Sequence, residues 1–295
     1  MTESSSVGLI GVGNMGGAMA LRLCELGWTV GVRDIEPARE AECMRAGAAA
    51  HATPAALATA HSVVVVAVVD AAQCEAVLFG DDGLVQGARS NGSCVVLCPT
   101  LGPVSTGAIA ARLGEHSIGC IDAPMSGGPA RARDGSMSLM VACAEALFER
   151  HRALLEALSS KLFRVGERPG DGARTKLVNN LLAAINLAGA AEAIALAERL
   201  GLDPARTLDV IEQSSGQSWI GSDRMRRAVA GDLAPRAHTT LLAKDSGLAL
   251  EMAAEAGFAA PLGRAAAERF RVACAAGYGA LDDASLLQLL RESGG

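Results

Sequence analysis

The segment GLIGVGNMGGAMALRL, Gly8 to Leu23, sets Gly11, Gly13 and Gly16 at the spacing G-x-G-x-x-G directly after the apolar run Val7–Ile10. A strand that meets such a turn and leaves it as a helix restricts the fold more than any other stretch of the chain. The first glycine permits the tight turn, the second lets a ligand approach the backbone, and the third lets the helix pack closely on the strand. A helix is predicted over Met15–Leu26, closed by Gly27, and the next strand over Thr29–Val32. Val63–Val69 is an unbroken apolar run, the mark of a strand buried on both faces of a parallel sheet. Val95–Cys98 and Ser117–Ile121 read as further strands. This alternation predicts an α/β fold with a doubly wound, Rossmann-type sheet that receives its ligand at the carboxyl ends of the strands.

The strands stop after about residue 170. Ala173–Leu200 reads as a helix with apolar residues almost all round: Leu177, Val178, Leu181, Leu182, Ile185, Leu187, Ile194 and Leu196. Such a helix must be covered on most sides, by its own domain and by a partner subunit. Further helices are expected from Asp203-Pro204, over Ser222–Ala230, Thr239–Ala256 and Pro261–Ala276, and over Asp282–Glu292. The expected organisation is a dinucleotide-binding domain over 1–170 and an all-helical substrate and oligomerisation domain over 171–295, joined by the long helix. A homodimer or homotetramer is expected.

Composition excludes several functions. A net charge of −6 and a pI near 5.5 provide no basic face for nucleic acid. The opening MTESSS has no charged region leading into an apolar one, so no signal peptide is expected. The longest apolar stretch, Leu181–Ala197, is broken by Asn186 and Glu192 and reads as a buried helix, not a membrane span. The eight cysteines show no CxxC and no histidine at ligand spacing, which fits reduced thiols, a cytoplasmic location and no metal.

Gly11, Val12, Gly13, Asn14, Met15 and Gly16 thus form a candidate cradle for the pyrophosphate of a dinucleotide, at the positive end of the following helix. Asp34 lies 18 residues after Gly16, at the end of the second strand, where a carboxylate accepts from the adenosine ribose hydroxyls. The same residue also suits a plain turn before Glu36-Pro37. A carboxylate there repels a 2′-phosphate and favours NAD. Arg33 beside it leaves NADP open, since a guanidinium pairs with that phosphate.

Four separated motifs in order, GLIGVGNMG, DAPMSGGPARARDG, GDGARTKLVNNLL and LLAKDSGLAL, resemble the β-hydroxyacid dehydrogenases over nearly the whole chain. SSGQSWIGSDRM and GDLAPRAHTTLLAKD look most like the threonate and tartronate semialdehyde branch. The resemblance implies an NAD(P)-dependent enzyme that interconverts a small carboxylate-bearing 3-hydroxy acid and its semialdehyde or keto acid. It implies that Ser126, Gly127 and Gly128 bind the substrate carboxylate, as two glycines let backbone N–H groups converge on an anion and Pro129 opens a helix behind them. An ordinary strand-to-helix turn uses the same residues. Lys176 would be the catalytic acid/base, with Asn180 four residues on to hold the substrate and Asn179 in a secondary contact. A lysine in an apolar helix costs stability unless it snorkels, pairs or does chemistry. Desolvation would bring its pKa toward the working pH.

Lys244 and Asp245 match the family's Lys-Asp pair near the nicotinamide. Thr100 matches a cofactor-touching turn, although Cys98 and Pro99 depart from the family pattern. Val68 and Val69, with Asp70, stand where the family has Leu-Pro-Asp, another cofactor-lining turn. Two other readings stay open: an imine reductase of the same fold, against which Lys176 and Asp34 argue, and a non-catalytic nucleotide-binding scaffold. A decarboxylating relative of the 6-phosphogluconate type is disfavoured by chain length.

Overall fold

The computed structural model describes residues 5–89 and 92–292. The chain divides into two compact units, Met1–Lys176 and Leu177–Gly295.

The first unit is built on one sheet. Its strands are β1 (Ser6–Ile10), β2 (Thr29–Arg33), β3 (Ala49–Ala50), β4 (Val63–Val66), β5 (Cys94–Leu97), β6 (Gly119–Asp122), β7 (Met125–Ser126), β8 (Ser138–Ala142) and β9 (Lys161–Gly166). Their order is β3-β2-β1-β4-β5-β6-β8-β7, with β9 paired to β8. The run from β3 to β6 is parallel; β6 and β7 lie antiparallel to β8. The winding reverses between β1 and β4, and that switch point opens a crevice beyond the strand ends.

Strand alternation explains the double burial. Val7 and Leu9, with Val30, Val32, Val65 and Val96, pack against Met19 and Leu23 of the helix Asn14–Glu25. Ile10, Val64, Val66, Val95 and Leu97 face the other way, onto Leu57, Leu78, Ile109 and Leu113. Successive side chains of one strand therefore feed two cores.

The structure departs from the sequence expectations at several boundaries. β4 ends at Val66, not Val69: Ala67 N–H still donates to Ile10 O, but Val69 is 47% exposed and its N–H donates to the Gln73 side chain at 2.9 Å. Asp70 then caps the helix Ala71–Phe79 through Gln73 N–H. A polar turn residue has taken over from the apolar pattern. The strand expected from Ser117 begins at Gly119, because Ser117 has φ 58°, outside strand geometry. The short strands β3 and β7 and the edge strand β9 carry too little pattern to be read beforehand.

The second unit is helical, with Leu187, Ile194, Leu208, Met225, Leu242, Phe270, Leu286 and Leu287 at its centre. Its helices run over Pro204–Glu212, Trp219–Val229, Thr239–Glu255, Pro261–Ala273 and Leu286–Glu292. The helix expected from Ser222 starts earlier because Ser218 caps it through Gly221 N–H. The one expected to reach Ala276 ends at Ala273 and passes into a wider turn, Cys274–Tyr278, broken at Gly277. Asp282 caps a short 3-10 turn instead of starting an α-helix.

The long helix spans Asp171–Arg199. Its most apolar 18-residue window has mean hydropathy 1.5, enough by composition to cross a membrane. Ala184, Leu187, Ala191 and Ile194 instead sit fully buried in the helical core. Asp122, at the last position of β6 and 2% exposed, fixes the helix start: its Oδ2 accepts from Gly170 N–H at 2.7 Å and Ala173 N–H at 3.1 Å. These are orphan donors of a helix terminus, satisfied across 48 and 51 residues of sequence.

Burial pushes the Asp122 carboxyl up from 3.8 to about 6, against the lowering effect of those N–H donors. The folded protein then holds this proton more tightly than the unfolded chain, so the associated stability is full below pH about 4 and is lost as pH rises through about 6. Asp122→Asn abolishes the titration. The difference in unfolding free energy between the two proteins is expected to change by on the order of 3 kcal/mol between pH 4 and 7, with wild type relatively favoured at the acid end. Urea unfolding across that range checks it, and parallel curves would refute it.

Candidate functional site

At the end of β1 the chain turns through Gly11, at φ 85°, whose N–H donates to Arg33 O at 2.9 Å. A Cβ on Gly16 would lie 1.8 Å from Gly11 O, so only glycine lets the helix start against this turn. At Gly13 the nearest atom to an added Cβ is Arg39 Nη1 at 3.8 Å, which leaves the backbone approachable. Asn14 is exposed at the head of the helix Asn14–Glu25, and Met15 is half-buried behind it. Val12 points inward, 3% exposed, and its N–H is taken by Asp34 Oδ2 at 2.7 Å. Val68 borders the turn, its Cγ1 3.1 Å from where a Gly11 Cβ would stand. Val69 follows on the rim, and half-buried Thr100 leaves the end of β5 at the same edge of the sheet. Side-chain-free backbone, a helix start and adjoining strand ends fit the pyrophosphate of a dinucleotide.

Asp34 stands immediately after β2. Its Oδ1 accepts from Glu36 N–H at 2.9 Å, while Oδ2 holds Val12. Asp34 is therefore both a turn residue and a brace between the first two strands. A carboxylate has about four lone-pair sites, so two are left to accept from a ribose diol. Glu40 Oε1 accepts from Asp34 N–H at 2.8 Å and from Arg33 Nη1 at 3.1 Å.

Ser126 closes β7 and pairs with Ser138 of β8. Gly127 and Gly128 follow at φ 133° and 77°, both in the left-handed region that glycine favours. An added Cβ on Gly127 would meet Arg131 Cδ at 2.9 Å, whereas nothing lies within 4 Å of one on Gly128. The short helix Gly128–Asp134 begins there, with Pro129 in its first turn. Lys176, 7% exposed, sits five residues into the long helix whose start Asp122 anchors. One carboxylate thus connects the strand leading into the Ser126 turn with the helix that carries Lys176.

Within the second unit the structure brings Asn179, Asn180, Lys244 and Asp245 together. Asn180 and Asp245 are each 7% exposed, and Asn180 Nδ2 donates to Asp245 Oδ2 at 2.6 Å. Asn179 Nδ2 donates to Asn180 Oδ1 at 3.0 Å, and Lys244 Nζ lies 3.1 Å from Asp245 Oδ1. The amide of Asn180 is oriented from both ends.

Two residues escaped sequence reasoning. Asp122 heads the glycine-turn motif, but nothing local announces that it caps a helix some 50 residues on. Glu40 lies in an ordinary charged helix, and its pairing with Arg33 is visible only in the fold.

Comparison with known proteins shows which families the chain is similar to. The family model described as the NAD binding domain of 6-phosphogluconate dehydrogenase matches residues 6–166. The model described as NAD-binding of NADP-dependent 3-hydroxyisobutyrate dehydrogenase matches residues 170–290. The chain is 36% identical over 286 residues to an L-threonate dehydrogenase of Cupriavidus necator, covering 97% of this chain and 96% of that protein. It is 32% identical over 284 residues to a 2-hydroxy-3-oxopropionate reductase of Escherichia coli, covering 96% of each. Among solved structures, a 3-hydroxyisobutyrate dehydrogenase from Salmonella typhimurium superposes with a TM-score of 0.91 at 35% identity, covering 96% of this chain and 99% of that one.

Gly16→Ala tests the cradle. Its methyl would collide with Gly11 O, an overpacking expected to cost about 1–3 kcal/mol. NADH binding, followed by fluorescence titration, should weaken at least tenfold in the protein that remains folded. Unchanged binding would separate this turn from the cofactor.

Proposed function

The chain belongs to the β-hydroxyacid dehydrogenase family, and on that premise we propose that it interconverts a small carboxylate-bearing 3-hydroxy acid and its semialdehyde or keto acid, with Lys176 as the acid/base. The observation that carries this reading is a lysine kept inside the protein, 7% exposed, one helical turn before an equally buried Asn180. The first turns of this helix are pinned by a buried carboxylate, so the amine is held at a fixed depth inside the protein.

In the oxidising direction, the neutral Nζ of Lys176 accepts the hydroxyl proton. When bound, the nicotinamide supplies the hydride acceptor for the same carbon. In the reducing direction the ammonium returns the proton. The backbone N–H groups of the Ser126–Gly128 turn hold the carboxylate, and the fixed amide of Asn180 orients the hydroxyl. Thr100, Val68 and Val69 line the cofactor turn. Asp34 selects NAD. The threonate-like segment Ser214–Met225 favours a polyhydroxylated substrate, in keeping with the name of the Cupriavidus relative.

Assembly is part of the same reading. Val178, Leu182, Leu196 and Leu200 are 60%, 58%, 56% and 67% exposed, and with exposed Gly189 and Ala193 they form one helical stripe at spacings of three, four and seven. A contiguous apolar stripe of this length suits a second copy of the chain. We place a homodimer or homotetramer of cytoplasmic subunits on it. Leu182→Glu with Leu196→Glu should convert the assembly to monomer by light scattering at micromolar concentration; wild type that is already monomeric would refute the arrangement.

Lys176→Met keeps the stem and removes the titrating amine, and Met is a good helix former. Turnover per folded molecule should fall by about 10² to 10⁴, the usual worth of a positioned acid or base, with NADH affinity unchanged. A kcat within a few-fold of wild type in a folded variant would exclude Lys176 as the catalyst.

A further inference from the structure

The segment from Arg33 to Glu40 carries two cations, Arg33 and Arg39, and three anions, Asp34, Glu36 and Glu40. A guanidinium directly beside the ribose-binding carboxylate has the chemistry to take a 2′-phosphate. In this protein it is already engaged. Arg33 Nη1 donates to Glu40 Oε1 at 3.1 Å and to the Asp34 carbonyl. The two side chains are 28% and 13% exposed, so solvent screens this pair less than an ordinary surface pair. Glu40 is held in turn: its Oε1 also accepts from Asp34 N–H at 2.8 Å, and its backbone belongs to the helix Pro37–Arg45. The carboxylate cannot follow the guanidinium outward without giving up that bond.

We propose that Glu40 is a specificity-determining residue, which holds Arg33 out of reach of the adenosine ribose and so keeps the site selective against a 2′-phosphorylated dinucleotide. The inference rests on the reading of the glycine turn as a dinucleotide cradle. With Arg33 neutralised by Glu40, Asp34 is left as the uncompensated charge at the ribose position, and it repels a phosphate. Arg39 is the other cation facing this region. It pairs with Glu36 at 3.0 Å, with side chains 40% and 60% exposed, too open to withhold it from a ligand or to set the selectivity.

The test is fluorescence titration of NADH and NADPH into wild type, Glu40→Gln, Arg33→Met and the double variant, with unfolding temperatures to confirm folding. Gln keeps an oxygen for Asp34 N–H and removes the charge that holds Arg33. Glu40→Gln should tighten NADPH relative to NADH by about tenfold, and Arg33→Met added to it should return the ratio to within about twofold of wild type. Arg33→Met alone should leave the wild-type ratio within about twofold, because that guanidinium is already withdrawn. This arm stands even if Glu40→Gln fails to fold. A ratio unmoved by Glu40→Gln overturns the proposal. So does a gain that survives Arg33→Met, which would point to Arg39 or to general charge, and so does an NADPH loss in Arg33→Met alone. Wild type that binds neither nucleotide overturns the cradle reading itself, a result separable from the others.

Discussion

A carboxylate shut away from water at the end of β6 organises much of the first unit. Asp122 cannot be solvated, so it must be satisfied by protein, and the donors available are the unpaired N–H groups at the start of a 29-residue helix. Each side solves the other's problem. The strand end gains partners for a charge, and the helix gains a fixed origin and direction. Everything measured from that origin inherits its precision, including the depth at which Lys176 enters the protein. The glycine turn at 126–128 starts from the same strand end, so both candidate substrate-handling elements share one reference point.

The parts of the fold legible beforehand were those set by local spacing. The β1 glycine turn, the alternation of strands and helices and the long apolar helix all announce themselves within windows of twenty residues or so. The exit of β4 did not, because Ala67, Val68 and Val69 are as apolar as the strand, and only the capping chemistry of Asp70 and Gln73 draws the boundary. β7 and β9 were invisible for a different reason: a two-residue strand and a half-exposed edge strand exist because β8 offers them partners. The candidate site divides the same way. Gly11, Gly16 and Lys176 could be picked out by type and position. Glu40 and Asp122 could not, since their roles consist of hydrogen bonds to backbone that lies elsewhere in the fold.

The Asn180 amide shows how a residue chosen on family grounds acquires a physical account. Its Nδ2 is committed to Asp245 and its Oδ1 to Asn179, so the side chain has one orientation and its second donor and acceptor sites point in fixed directions. Asp245 in turn stands against the Lys244 ammonium. The small polar cluster is therefore a rigid set of donors and acceptors, not four side chains that must be ordered when a ligand arrives.

The backbone at Gly127 and Gly128 has a further consequence for how such a protein can diversify. Both residues occupy angles that any residue with a side chain adopts only under strain, and at Gly127 a side chain would also strike Arg131. Natural variation can do little with these positions: replacing either glycine strains the turn before it adjusts anything. A turn of this kind tolerates no gradual adjustment of its own residues. Any change of preference must then come from around it, at residues whose side chains can be exchanged one at a time.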